Sequence, residues 1–388
     1  MGKVSRRELG QLAAGLAVAR ALPLEAQLGP QTSYIGPLTG VEGLADRHFD
    51  PVAFARDVYA AAPRTLRFQA RTRDDAEAWQ KTLHTKLTEL LGKFPAERSP
   101  LHPVILETRS FSGYRREKVV FDSWPGLSML AYVLVPPSAR TPIPAVICVP
   151  GHGRGVDDIV GIDEQGHDRT DKSGYQHDFA IQAAEAGMAA VAIEPLGFGC
   201  RRDALNARQG LSHKGCEPVA GGALMVGQTL IGWRVWDVIR TLDYIASRPD
   251  LDASRVGCMG ISGGGTATLF AAALEPRIRA AMVSGYLNTF RDSVGSLAHC
   301  VDNYVPGILN WAEMHDIAGL IAPRALFVES GEKDNIFPIH ASIESFNKVR
   351  DVYSVFGAAD RIEQEVFPGE HSFWGKRGVP FLARQLNA

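Results

Sequence analysis

Cysteine is scarce in this 388-residue chain: there are five, and no two are spaced as C-x-x-C. The sequence therefore lacks the paired thiols of a structural zinc module. An excess of one charge is lacking too. Lys and Arg number 41 against 43 Asp and Glu, so no basic field is available to hold nucleic acid. No apolar run reaches the roughly 20 residues of a membrane span. The stretch near the amino terminus is short, and Arg20 interrupts it. What is present is ordinary globular material, 45% hydrophobic and 22% charged, which excludes a disordered or collagen-like chain. A chain this long buries a large core without cross-links. Cys148 and Cys258 lie in apolar runs and read as buried strand thiols. Cys200, Cys216 and Cys300 fall in loop-like segments. A disulfide among them fits an exported protein, but spacing does not assign the pair.

Residues 1–26 carry a basic start, Ser5-Arg6-Arg7-Glu8-Leu9, then a weakly apolar stretch and small residues around Ala26. This resembles a bacterial twin-arginine export signal, which implies delivery of a folded protein to the periplasm or beyond. An amphipathic helix is the competing reading, and Leu24 is a poor residue at the −3 position of a cut after Ala26. Residues 27–100 read as an N-terminal helical arm or cap. Asp50-Pro51 opens one helix, and a second begins at Asp74-Asp75 and ends near Gly92. Its Trp79, Leu83, Leu87 and Leu90 share one face.

Residues 101–388 read as a catalytic α/β domain. Three alternating segments, Val104 to Ser110, Glu117 to Phe121 and Leu127 to Val135, predict an antiparallel lead-in. Apolar strands at 145–149, 189–193, 255–259, 278–283, 325–328 and 362–367 then alternate with helices. The pattern predicts helices near 176–187, 222–247, 264–273 and 340–351, with a last one after Pro380. Alternation of this kind implies right-handed crossovers and a mainly parallel sheet flanked by helices.

Chemistry concentrates at the ends of these strands. Gly260-Ile261-Ser262-Gly263-Gly264 matches G-x-S-x-G between an apolar strand and a helix-compatible run, the setting that thrusts a nucleophilic hydroxyl out of a sheet. A serine needs a base. Of eleven histidines, His371 follows the last strand in chain order, and His340 fits less well at a helix start. The orienting acid belongs after the preceding strand, where Asp334 is the choice over Glu332 and Glu329. Oxyanion donors are expected from the N–H of Gly263 and from the loop Pro150-Gly151-His152-Gly153-Arg154-Gly155, through Gly153 or Arg154. Weaker pocket candidates are His152, Glu194, Arg202, Tyr286 and Trp374. Glu194 with Arg201, Arg202 and Arg234 reads more readily as a structural ion network. The acidic stretch 161–173 reads as a solvated loop, not a metal site.

These segments resemble the α/β-hydrolase superfamily over residues 104–388. Gly151–Gly161, Glu194-Pro-Leu-Gly-Phe-Gly199, Gly232-Trp-Arg-Val-Trp-Asp237, Asn303-Tyr-Val-Pro-Gly307 and Glu329–Pro338 are similar to a serine esterase branch. That branch is related to dienelactone hydrolases and described as acetyl xylan esterase-like. True dienelactone hydrolases use cysteine as nucleophile, where this chain has Ser262. The resemblance implies an α/β-hydrolase fold and a Ser262–His371–Asp334 carboxylesterase needing no metal or organic cofactor. It implies a small-molecule or carbohydrate ester as substrate, with no nucleic-acid partner and no membrane-spanning segment. A serine peptidase on the same fold, or a non-catalytic binding scaffold, are the competing expectations.

Overall fold

The computed structural model describes residues 36–38, 41–43, 46–137, 141–210 and 215–387. The expected export signal at 1–26 lies outside the described residues. From Val52 to Ala388 the chain forms one compact unit. It begins with helices α1 (Pro51–Ala61) and α2 (Arg73–Leu90). Thr72 caps α2, its hydroxyl accepting from the N–H of Asp75. Leu83 and Leu87 of the anticipated face are buried, while Trp79 and Leu90 pack at the core margin.

Strands β1 (Val104–Phe111), β2 (Tyr114–Trp124) and β3 (Leu127–Val135) run antiparallel. The remaining elements follow in chain order: β4 (Ile143–Val149), α3 (Phe179–Glu185), β5 (Ala189–Ile193), α4 (Ala204–Ala207), α5 (Cys216–Met225), α6 (Leu230–Ala246), β6 (Leu251–Ile261) and α7 (Gly263–Leu274). Then come β7 (Ile278–Ser284), α8 (Met314–Gly319), β8 (Ala325–Gly331), α9 (Ile339–Val355), β9 (Ile362–Phe367) and α10 (Gly378–Asn387). The nine-stranded sheet has the order β1-β2-β3-β5-β4-β6-β7-β8-β9, and every pairing from β5 to β9 is parallel.

One expected element divides in two. The helix anticipated over 222–247 is α5 and α6, separated by a turn. Gly227 takes φ +71° there, and Thr229 starts α6 afresh by accepting from the N–H of Gly232. The apolar periodicity runs through the break, which is why the pattern alone joined the two.

The central strands are buried on both faces. Val146 and Cys148 of β4 join the apolar layer under α3 and α10, and Ala145, Ile147 and Val149 join the layer under α6 and α7. That double burial explains the continuous apolar runs. Each such Val or Ile contributes about 1.5–3 kcal/mol relative to exposure.

The topology also locates a crevice. From β4 the chain moves outward to β5, then returns to lay β6 on the other side of β4. The carboxyl ends of β4 and β6 therefore flank a reversal of strand order, where open α/β sheets bind ligands.

Candidate active site

Ser262 sits between β6 and α7 at φ +57°, ψ −123°. A non-glycine residue held there stores about 1–3 kcal/mol of strain. Neighbouring bonds maintain it: the Ser262 N–H donates to Ser284 O (3.1 Å), and Ser262 O accepts from the Thr266 N–H (2.8 Å). The tight turn needs the glycines around it. A Cβ on Gly264 would lie 1.9 Å from Val149 O, and one on Gly260 2.5 Å from Gly264 O.

His371 and Asp334 come from the loops after β9 and β8. Those loops are stitched together, the N–H of Glu332 donating to Phe367 O (2.9 Å) and that of Lys333 to Gly369 O (2.8 Å). This brings His371 Nδ1 to 2.7 Å from Asp334 Oδ2. The other Asp334 oxygen accepts from the N–H groups of Ile336 (2.9 Å) and Phe337 (3.0 Å), and the carboxylate is buried. Tyr175 and Phe337 both stack on the His371 ring, each with centroids 5.6 Å away. His371 Nε2 is buried with no hydrogen-bond partner among the described residues. It borders a cavity of about 340 Å³ shared with Ser262, Gly263 and His152.

The rival acids have other places. Glu332 is exposed. Glu329 is sealed under the site, accepting from Ser284 Oγ (2.7 Å) and from the N–H groups of Trp374 (2.8 Å) and Gly375 (2.6 Å). It anchors the segment that carries His371, and burial pushes its carboxyl up to about 7.

The loop after β4 engages one of the two expected oxyanion donors. The N–H of Arg154 is engaged by Asp158 Oδ2 at 2.8 Å, and its side chain also bonds Asp158. The N–H of Gly151 is likewise engaged, by Gln176 Oε1 at 2.7 Å. Neither Gly153 nor Arg154 borders the Ser262 cavity, whereas His152 does. The backbone N–H of His152 has no partner among the described residues, and its carbonyl is fixed by the Tyr175 hydroxyl at 2.8 Å. The N–H of Gly263, in the first turn of α7, is left over by the helix itself.

Among the pocket candidates, only His152 lines this cavity. Glu194 is buried, accepts from the Val156 N–H (3.0 Å) and lies so close to Gly199 that a Cβ there would meet Oε2 at 1.8 Å. It ties two loops together, and burial raises its carboxyl to about 8. Arg202 bonds Gly199 O (2.8 Å). Tyr286 is buried against Phe337. Trp374 stacks on Phe367 at 5.1 Å instead of facing the site.

A buried charge network, missed as a unit by the sequence reading, backs His152. Its Nε2 lies 3.3 Å from Asp302 Oδ2 and 3.8 Å from Cys216 Sγ. Arg234 donates to Asp302, to Cys216 Sγ (3.2 Å) and to Leu196 O (2.7 and 3.1 Å). His152, Cys216, Cys300 and Asp302 bring donor atoms within 4.8 Å of one another, a set chemically suited to a divalent metal. Arg234 already supplies a cation there and is wholly buried, so the residues form an ion network and not a vacant ligand shell. The acidic stretch 161–173 is likewise structural: Asp168 pairs with Arg109 (2.6 Å) and Arg116 (2.5 Å), and Asp163 Oδ1 accepts from the N–H groups of Gln165 and His167.

A larger cavity, about 560 Å³, lies between α1 and the loops after β7 and is walled by Tyr59, Phe290, Val305 and Ile308. No serine, cysteine or histidine lines it, and Asn303 borders both cavities.

A positive-φ serine on a strand-to-helix turn, opposite a carboxylate-held histidine after the last strand, defines an α/β-hydrolase. The chain belongs to the Abhydrolase family, whose model matches residues 55–368. YtaP of Bacillus subtilis (strain 168), which carries the name of a hydrolase, is 26% identical over 284 residues, 71% of this chain and 88% of that one. Among solved structures, one from Bacteroides fragilis named an acetyl xylan esterase superposes with TM-score 0.70 at 19% identity, covering 83% of each chain. A glucuronoyl esterase from Solibacter usitatus superposes with TM-score 0.62 at 18% identity, covering 84% of this chain and 97% of the other. Among the described residues no helix is long and apolar enough to cross a membrane.

Proposed function

We propose that this protein is a serine carboxylic-ester hydrolase working through an acyl-enzyme. The observation that carries the reading is His371. One ring nitrogen is held by buried Asp334 at 2.7 Å, and the other is unpartnered at the cavity that contains Ser262. His371 Nε2 accepts the Ser262 proton as Oγ attacks the ester carbonyl. Asp334 fixes the tautomer that leaves Nε2 free and stabilises the imidazolium. The N–H groups of Gly263 and His152 hold the oxyanion. His371 returns the proton to the leaving alcohol, then activates water to release the acid.

A carbohydrate ester is the preferred substrate class. The fold relatives named above include esterases of xylan acetyl groups and of glucuronoyl esters, and the cavity is walled by polar groups from His152, Tyr175, His299 and Asn303. Export through the twin-arginine-like start is part of the same proposal, since such glycans lie outside the cell.

The test is hydrolysis of p-nitrophenyl esters from acetate to octanoate by wild type and Ser262→Ala. We expect turnover to fall by about 10⁴-fold or more in the variant. Equal rates in the two proteins would remove Ser262 as nucleophile. The chain-length profile sizes the acyl pocket, and acetylated and uronate-ester glycans then rank the alcohol.

A further inference from the structure

The triad and the two backbone donors leave one charged side chain at the cavity without a task. The His152 ring lies against Gly263: a Cβ on that glycine would meet Cε1 at 2.9 Å and Nδ1 at 3.0 Å. The ring edge bearing Nδ1 is therefore beside the first residue of α7, whose N–H is a proposed oxyanion donor. Nε2 contacts Asp302 Oδ2 and Cys216 Sγ, and that Asp302 oxygen lies 3.4 Å from the same Cβ position on Gly263. Phe198 packs edge-on at 4.9 Å and fixes the ring plane. Nδ1 has no hydrogen-bond partner among the described residues, is not among the sealed unpartnered atoms, and belongs to a side chain 16% exposed that borders the cavity.

We propose that His152 is itself catalytic: its imidazolium presents Nδ1–H to the oxygen that gains charge when Ser262 attacks, and Asp302 with Arg234 positions that cation. The inference rests on the serine-esterase reading. No bond to His152 forms or breaks, and its proton stays in place through the cycle. A full positive charge adjoining two neutral amide donors acts where charge develops and needs little reorganisation.

The surroundings support a retained charge. Burial disfavours the imidazolium, but the Asp302 carboxylate, with help from Cys216, outweighs it and raises His152 to about 9. Arg234, Asp302 and the Cys216 thiol face it from α6, the segment at 301–303 and α5. His299 and Cys300 share the cavity wall, and His371 stands across it. Arg234 and His152 share Asp302 Oδ2, and Leu196 O with Cys216 Sγ takes the other guanidinium N–H groups. In sequence the four residues are 152, 216, 234 and 302, which is why no local motif announces them.

The experiment is steady-state hydrolysis of p-nitrophenyl acetate by the full chain between pH 6 and 10. It compares wild type, His152→Gln and Asp302→Asn, with a fluorophosphonate label on Ser262 as an independent readout and circular dichroism as the fold check. His152→Gln keeps the backbone N–H and replaces the charged ring donor by a neutral amide. The expected result is a kcat lowered roughly 100- to 1,000-fold, the range of a single oxyanion donor, with KM within about threefold. Wild type should lose activity as pH rises through about 9, and that limb should be absent in His152→Gln. Asp302→Asn should move the limb to lower pH; if that variant does not fold, the His152→Gln profile decides alone. A wild-type kcat in His152→Gln, or a persisting limb near pH 9, would overturn the proposal while leaving the esterase reading intact. A wild type that neither turns over nor labels at Ser262 would bring down both.

Discussion

Two histidine–carboxylate pairs border one cavity, and they are built differently. Asp334 meets His371 at 2.7 Å, and its other oxygen is satisfied by two backbone N–H groups. Among the described residues no Lys or Arg bonds that carboxylate, and Tyr175 and Phe337 both stack on the ring. Asp302 meets His152 at a looser 3.3 Å and is shared with Arg234, deep beside two thiols. In the first pair the carboxylate holds the histidine without a guanidinium, and the histidine borders the same cavity as Ser262. Such a pair orients a proton carrier. In the second, a permanent guanidinium pins the carboxylate, and the histidine is added to an existing ion pair. Such a pair holds a charge still. On the proposed reading, the same two residue types serve opposite purposes according to what else touches the acid.

The comparison breaks most sharply at Asp334. Asp334→Asn leaves the shape intact but replaces the acceptor of the Nδ1 proton by an amide, so the tautomer with Nε2 free is no longer favoured. We expect kcat to fall by about 10³- to 10⁴-fold, by the reasoning for such triads generally. Steady-state rates with pre-steady-state acylation measure it. A loss below tenfold would show that His371 does not depend on this carboxylate.

The two pairs also differ in how legible they were. Ser262, Asp334 and His371 each follow a strand directly, so the chain order strand–serine–strand–acid–strand–histidine carries the site with little three-dimensional knowledge. Glycines 260, 263 and 264 mark the turn because only they fit there. The oxyanion loop was legible as a loop but not in its details. Which N–H is free depends on Asp158 and Gln176 capturing those of Arg154 and Gly151, and no spacing rule reveals that capture. The second pair joins residues from four separate elements, so only tertiary packing assembles it. The α5–α6 break was lost because Gly227 and Thr229 interrupt an apolar rhythm that continues past them.

A smaller effect sharpens the contrast between structural and functional acids. Glu194 is a strand-end carboxyl like Glu329, yet it bonds only loop backbone. Its folded value of about 8 stands above the unfolded value near 4.5, so the folded state binds this proton more tightly. The stability it contributes is complete below pH 4.5 and is lost as pH rises through about 8. Urea midpoints of wild type should therefore fall between about pH 4.5 and 8, and Glu194→Gln should flatten that decline while leaving kcat within about twofold, as expected of a residue outside the reacting cavity. An unchanged slope over that window in the variant would mean that Glu194 is ionised throughout.

The smallest expected effect tests the assignment of the acid itself. Glu332 lies two residues before Asp334 and looks equally suitable in one dimension. In the fold its side chain is exposed, and its contribution is a backbone N–H to Phe367 O at 2.9 Å. Glu332→Gln keeps that bond, so activity and melting temperature should change by less than about twofold and a degree or two, the usual reach of a surface substitution. The two variants make a matched pair: the same carboxyl-to-amide change, in the same loop, on opposite sides of the buried boundary. If Glu332→Gln were the crippled one and Asp334→Asn the silent one, the stitched loop pair would have to sit in another register, with Glu332 swung inward beneath His371.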